Sequence, residues 1–425
     1  MDQFNQWIET IDGWVWGIPL IVLIMACGIW LTIRVGALQI RHLGKALKFM
    51  VKNEEDGEGE VTSFGALCTA LSATIGTGNI VGVATALVAG GPGALFWMEI
   101  AALLGMATKY AEGFLAIKYR TVDKNGQYLG GPFYYIEKGM GARWKWLAKL
   151  FACFGVLAGL LGIGTITQIN GITSAANNFF DPNGEHVLFH LFGQDYTIAT
   201  VVAGLFVTLF VALVVIGGLK RISSVSQIVV PFMAVLYILF CLILIVCNIT
   251  KIPAAVVEIV ESAFGVRQIA GGALGTIMVA MQKGVSRGIF SNEAGLGSAP
   301  IAAAAAKTKN PVRQALISST GTFWDTVVVC LITGVTLVTT IMKNPDINMS
   351  SIQNGGQMTT AAFSQIPVLG SIILVFGIIT FAYTTVLGWS YYGERCAEYL
   401  FGKRATIFFK IIFVFVILLG PVIEL

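Results

Sequence analysis

ALSATIGTGNIVGVATALVAGGPGALFWMEI, residues 70–100, is apolar enough to sit in a membrane, yet it carries Thr74, Gly76, Thr77, Gly78 and Asn79 in the middle of a hydrophobic segment. A helix interior loses about 1 kcal/mol for each Gly relative to Ala, so two glycines flanking a Thr favour a departure from helix. In lipid such a departure strands backbone N–H and C=O groups, which is tolerated only where they line a cavity or a site. The stretch therefore predicts a broken membrane helix with a purpose at its break.

The rest of the chain fits a membrane setting. Of 425 residues, 56% are hydrophobic and only 12% charged, with a mean hydropathy of +0.79, against about 25% charged in an average soluble domain. Ten apolar stretches of membrane-spanning length occur, near 14–34, 62–89, 93–117, 146–179, 196–217, 225–249, 268–300, 312–342, 368–390 and 405–423. The first follows an acidic leader, MDQFNQWIETID, with no small-residue cleavage site after it, and is read as a retained helix. Lys and Arg gather in alternate loops: Arg34 to Lys52, Lys118 to Lys145, Lys220 and Arg221, Lys307 to Arg313, and Arg395 to Arg404. The positive-inside rule makes those loops cytoplasmic and puts the amino terminus outside. This loop bias accounts for the net charge of +4, which argues for no nucleic-acid partner. The seven cysteines nearly all lie within or at the ends of apolar segments, without metal-type spacing.

A second segment departs from a plain apolar helix: QIAGGALGTIMVAMQKGVSRGIFSNEAGLGSAP places Gly271, Gly272 and Gly275 together before Thr276. Paired Gly-interrupted helices in corresponding halves point to a transporter binding site. With residues 1–60 as an accessory helix and cytoplasmic loop, residues 61–250 form a five-helix unit, and 265–425 open a second unit of inverted orientation with only four helices counted. Close packing is the plain alternative for the glycines, but Asn79 brings an amide that packing does not need.

The blocks SATIGTGNIVGVATALVAGGPGALFW (72–97), GMATKYAEG (105–113), GGPFYYIEKG (130–139) and GVSRGIFSNEAGLGSAPIAAAAAKTKNPVRQ (284–314) resemble the alanine or glycine:cation symporter family of the amino acid-polyamine-organocation superfamily. The resemblance covers essentially the whole chain. It implies an all-α polytopic LeuT-type fold of five plus five inverted helices with an extra N-terminal helix, so the last helix is expected to be absent from this chain. It further implies sodium-driven uptake of small neutral amino acids through the plasma membrane. Glu99 departs from the family pattern, which has an apolar or aromatic residue there.

At the break, a half-helix beginning near Gly78 would point its N–H groups and positive dipole end at a substrate carboxylate. Gly76, Thr77 and Gly78 allow close approach, and Thr74 and Asn79 offer oxygens for substrate or sodium. By resemblance, Thr384 and Thr385 hold a sodium ion against the carbonyls of Ser72 and Ile75; alternatively both hydroxyls bond back to their own helix. Gln168 is either interhelical glue or a ligand for the substrate amine. Gly275, Thr276, Ile277, Met278 and Met281 are expected to form an apolar pocket wall, with no acid or base beside the breaks. Asp325 is expected to pair with a base such as Lys283 or Arg287, and Glu293 to join an inner gate with the same bases. No catalytic set is expected: His42, His186 and His190 lie in loops or near helix ends, which makes a membrane enzyme the weakest rival, behind a proton-coupled carrier and an ion channel. The expected partners are the amino acid, sodium and the bilayer, bound by a monomer.

Overall fold

A computed structural model describes residues 6–7, 10–11, 13, 15–52, 54, 57–191, 194–265, 273–344, 346–347 and 352–422. Among the described residues, seven helical stretches are long and apolar enough to cross a membrane, and three shorter apolar helices join them: α1 (Ile18–Arg34), α3 (Ser63–Thr74) and α4 (Val81–Gly90), with the amphipathic α2 (Leu43–Val51) between the first two. The chain continues through α5 (Gly93–Lys118), α6 (Lys145–Leu161), α7 (Ile166–Phe180), a hairpin of β1 (Val187–Leu191) and β2 (Gln194–Thr197), α8 (Ile198–Val215), α9 (Gly218–Cys247) and α10 (Ile252–Ala263). Then follow α11 (Ala273–Asn292), the short α12 (Ala299–Ala303), α13 (Pro311–Thr322), a π-helical stretch Phe323–Cys330, α14 (Leu331–Lys343), α15 (Gly355–Phe363), α16 (Leu369–Phe401) and α17 (Ala405–Leu419).

Local signals start several of these helices. Thr62 Oγ1 accepts from Gly65 N at 2.9 Å to open α3, and Asn310 Oδ1 accepts from Val312 N ahead of Pro311 to open α13; both are N-caps that satisfy otherwise orphaned donors. The interrupted pair α3/α4 lies at the centre: α3 packs against α9 and α16, while α4 packs against α11 and α15. Helix α5 lies on α11 and α13, and α1 stands outside it, where a Cβ on Gly28 would come within 3.0 Å of Leu104 Cβ.

The basic loops meet on one face. Arg120 donates to the carbonyls of Glu58, Ala304, Ala306 and Thr308 at 2.6–3.1 Å. Lys403 Nζ lies 3.7 Å from Asp123 Oδ2, and Arg313 Nε 3.8 Å from Glu54 Oε2. Gly57 and Gly59 bring their stretch of loop so close to Ala306 and Lys307 that a Cβ at either would strike backbone. This face is sealed by main chain as well as by charge.

Three boundaries differ from the sequence expectation. The segment near 146–179 breaks at Gly162–Thr165, between α6 and α7. The segment expected to open at Gly271, Gly272 and Gly275 runs as continuous helix through Gly275, and its interruption falls at 293–298; Gly271 and Gly272 themselves lie outside the described residues. Helix α16 continues past 390 to Phe401, because Arg395, buried there, meets Glu394 at 3.1 Å and Glu398 at 2.6 Å, which allows charges to stay within a packed helix.

Candidate functional site

Helix α3 ends at Thr74. Ile75 and Gly76 are extended, Thr77–Asn79 make one 3-10 turn, and α4 begins at Val81. The N–H groups that would continue α3 are turned aside. Gly76 N donates to Asn79 Oδ1 at 2.9 Å, Thr77 N to Gln168 Oε1 at 3.4 Å, and Asn79 N to Gly76 O at 3.2 Å. The carbonyls of Ser72, Ala73 and Ile75 thereby lose the N–H partners that an unbroken helix would bring from four residues on. Loose carbonyl oxygens at membrane depth are what a desolvated cation requires.

Helix α16 supplies a further oxygen. Thr385 Oγ1 lies 3.3 Å from Ile75 O and 3.1 Å from Phe381 O. The close approach depends on two glycines: a Cβ on Gly388 would lie 2.6 Å from Ala73 Cβ, and one on Gly76 would lie 2.5 Å from Thr385 Oγ1. Gly76 has φ −137°, so contact rather than backbone conformation demands glycine there. A cation holding oxygens at about 2.4 Å in octahedral array separates neighbouring ligands by roughly 3.4 Å, which the Thr385–Ile75 pair matches. Thr384 is turned differently: its hydroxyl donates to Phe381 O at 3.0 Å and lies 3.5 Å from Met233 Sδ on α9. Ser72 Oγ donates to Thr69 O at 2.8 Å, and Thr74 Oγ1 lies 3.4 Å from Leu71 O.

Asn79 is fully buried and uses both ends of its amide. Besides accepting from Gly76, it donates through Nδ2 to Asp325 Oδ1 at 2.8 Å and to Asp325 O at 3.1 Å. Asp325, also fully buried, accepts from Ser291 Oγ at 2.8 Å and Thr326 Oγ1 at 2.7 Å. The carboxylate is met by neutral donors rather than by the expected Lys283 or Arg287, and ties the break to the end of α11. Gln168, 2% exposed, accepts from Thr77 and donates to Ile163 O at 3.2 Å, so it joins the first break to the one at 162–165. The glycines of GLLGIGT were the sequence signal for that second junction.

A cavity of about 890 Å³ runs from Thr77 and Gly78 between α4, α7, α11, α15 and the first half of α16. Helix α15 lies on the face opposite the basic loops, so the break is reached from that side. Phe290 and Arg287 of α11 line the cavity. Ile277, Met278 and Met281 do not: Met281 packs with Ile21, Ala101, Val285 and Ile289, and Met278 is 45% exposed. Gly275 and Thr276 lie on α11, with their side chains outside the described residues. Along α11, Phe290 lies beside Gly78 whereas Ala280 and Lys283 lie beside Gly90 at the far end of α4, so positions 277–281 sit a distance along the helix from the break. The expectation of no charge beside the break is thus corrected twice, by Arg287 and by Asp325.

The second interruption is built otherwise. Glu293 takes φ +57°, Ala294 N donates to Asn292 Oδ1 at 2.9 Å, and Gly297 N to Glu112 Oε1 at 3.1 Å. The Glu293 carboxylate accepts from Ser298 and, at 3.1 Å, from Trp389 Nε1. These, rather than Lys283 or Arg287, are its partners. Glu99 Oε1 is buried without a hydrogen-bond partner.

The profile of the sodium:alanine symporter family matches residues 1–425. An uncharacterized transporter of Haemophilus influenzae is 51% identical over 422 residues, covering 98% of this chain and 87% of that protein. The sodium/alanine symporter AgcS of Methanococcus maripaludis is 47% identical over 428 residues, covering 100% and 89%. Among solved structures, MhsT in complex with L-phenylalanine superposes with a TM-score of 0.60 at 17% identity, covering 86% of this chain and 80% of the other, which identifies the LeuT-type fold. The chain is a membrane transporter, not an enzyme, and belongs to the sodium:alanine symporter family.

Proposed function

We propose that the protein carries small neutral amino acids, alanine and glycine among them, together with sodium across the plasma membrane by alternating access, as a monomer with its amino terminus outside. The observation that carries this reading is the break at 75–80, where freed carbonyls, the Thr385 hydroxyl and the floor of the outer cavity converge. Units 61–250 and 265–425 would be the inverted halves that rock about it.

In this reading sodium is a substrate, held by the carbonyls of Ser72 and Ile75 with the Thr385 hydroxyl. The amino acid lies above Thr77 and Gly78 with its carboxylate toward the amino-terminal end of α4, where free N–H groups and the helix dipole favour an anion. Asn79, Gln168 and Asp325 act one layer behind, fixing the shape of the break. Alanine as a substrate is supported by the family and by the named activity of the Methanococcus relative; glycine is included as the smaller neutral amino acid with the same carboxylate and amine to be held.

The test is uptake of labelled alanine and glycine into proteoliposomes under an inward sodium gradient. Accumulation that collapses when sodium is replaced by choline at constant pH supports the reading. Equal uptake in choline, driven instead by a proton gradient, would replace sodium coupling with proton coupling.

A further inference from the structure

A second cavity, of about 360 Å³, lies on the face of the basic loops, between the start of α9, the loop at 125–127, the end of α16 and Lys410 of α17. Three bases line it, Lys220, Arg395 and Lys410, and two acids, Glu60 and Glu394. Both acids are engaged: Glu60 Oε1 accepts from Tyr128 N at 2.8 Å, while Glu394 meets Arg395 Nη2 at 3.1 Å and Lys410 Nζ at 3.4 Å. Arg395 also meets Glu398 Oε2 through Nη1 at 2.6 Å, yet its Nε, on a residue only 8% exposed, has no hydrogen-bond partner. Helix α9 opens behind Gly217, which has no side chain to cap it, so the N–H groups of its first turn keep their capacity to donate. Lys410 Nζ lies 3.8 Å from where a Cβ on Gly218, the first residue of that helix, would be. The positive end of a helix dipole disfavours an ammonium. Lys410, Lys220 and the start of α9 therefore gather charge of one sign, of which Glu394 offsets part.

We propose that this cavity binds a phosphate group, free in solution or as the headgroup of an anionic lipid in the leaflet that meets the basic loops. A phosphate accepts from several donors at once and suits both an open helix start and lysine point charges. Basic pockets between membrane helices on such a face hold anionic head groups. Apolar surface for acyl chains is at hand: Ile216 on the wall is exposed, as are Ile407 and Ile411 on either side of Lys410. This site lies apart from the break at 75–80 and from the outer cavity, and its occupation is independent of which amino acid is carried.

The test follows the thermal midpoint of purified protein in detergent as phosphatidylglycerol, phosphatidylcholine or potassium phosphate is titrated in, with potassium chloride matching ionic strength. Phosphatidylglycerol should stabilise the wild type at lower concentration than phosphatidylcholine, since bound ligand favours the folded state. K220Q and K410Q should each raise its half-saturating concentration about tenfold, the scale of one charge-assisted contact. K307Q, an exposed lysine on the same face outside the cavity, should leave that concentration within about twofold. Where K410Q does not fold for want of its pair with Glu394, K220Q decides. A lysine-dependent shift with potassium phosphate as well assigns a soluble phosphate, and one with phosphatidylglycerol alone assigns the lipid. Half-saturation by both ligands that is the same in wild type and K220Q overturns the proposal, as does an equal loss in K307Q, which would mean diffuse attraction to a basic face.

Discussion

At residues 75–80 the N–H groups released by the interrupted helix turn to neutral partners, Asn79 Oδ1 and Gln168 Oε1, and the Ile75 carbonyl is left facing Thr385. At 293–298 the released N–H groups meet the Asn292 amide and the Glu112 carboxylate, and Glu293 closes the turn against Ser298 and Trp389. The first interruption keeps oxygens available beside a cavity; at the second, the released N–H groups and the Glu293 carboxylate are held by side chains, deep in a seam where Glu293 is wholly buried. Two glycine-rich breaks in one bundle thus differ in the partners they hold: neutral amides at the first, a buried carboxylate cluster at the second. A break with spare carbonyls can accept a cation, whereas a break that its own side chains complete is a joint.

The largest effect expected from this contrast is at Asn79. Asn79→Ala removes the acceptor for Gly76 N–H and a donor to Asp325, both buried, and each orphaned group costs about 1–3 kcal/mol. Thermal stability should fall measurably and alanine binding should be lost with it. Wild-type stability in that variant would mean that the amide is not the clasp of the first break.

Next in size is the second interruption. Gly297 has φ +78°, and a Cβ there would lie 2.7 Å from Pro132. Gly297→Ala should destabilise the protein by about 1–2 kcal/mol through backbone strain and crowding, while the folded fraction keeps its alanine affinity and sodium dependence within about twofold. A changed sodium dependence in G297A would erase the distinction between seat and joint.

The central break, most of the apolar segments and the grouping of the basic loops were legible in the sequence, because hydropathy and the Gly-Thr-Gly cluster act locally. The second interruption was not. Gly271, Gly272 and Gly275 look like a break, yet Gly275 sits in continuous helix, because a glycine lowers helix stability without dictating where tertiary partners exploit it. What opens the backbone at 293–298 is the set of acceptors Glu112, Asn292 and Glu293, two of which come from the NEAGLGS stretch itself and one from 181 residues upstream of Glu293. The place of Arg287 on the cavity wall was hidden for a similar reason: it depends on the rotation of α11 against α4, which periodicity in a sequence rich in apolar residues all round leaves open.

The smallest effect expected is at Thr384, whose hydroxyl is committed to Phe381 O and Met233 Sδ. Thr384→Val should leave the sodium concentration for half-maximal alanine binding within about twofold of wild type, since a side-chain bond to the preceding turn contributes little. A large rise would restore Thr384 to the ion site beside its neighbour.

That neighbour offers the most direct test of the claim that the first break seats sodium. Thr385→Val keeps the shape of the side chain and removes the hydroxyl that reaches Ile75 O. Alanine binding to purified protein is titrated against sodium for the wild type and for T385V. The account predicts a half-saturating sodium concentration raised by about tenfold or more, as expected for loss of a bond to a charged group, with alanine affinity nearly restored when sodium is saturating, because ion and substrate binding are linked reciprocally. Superimposable sodium curves would contradict it.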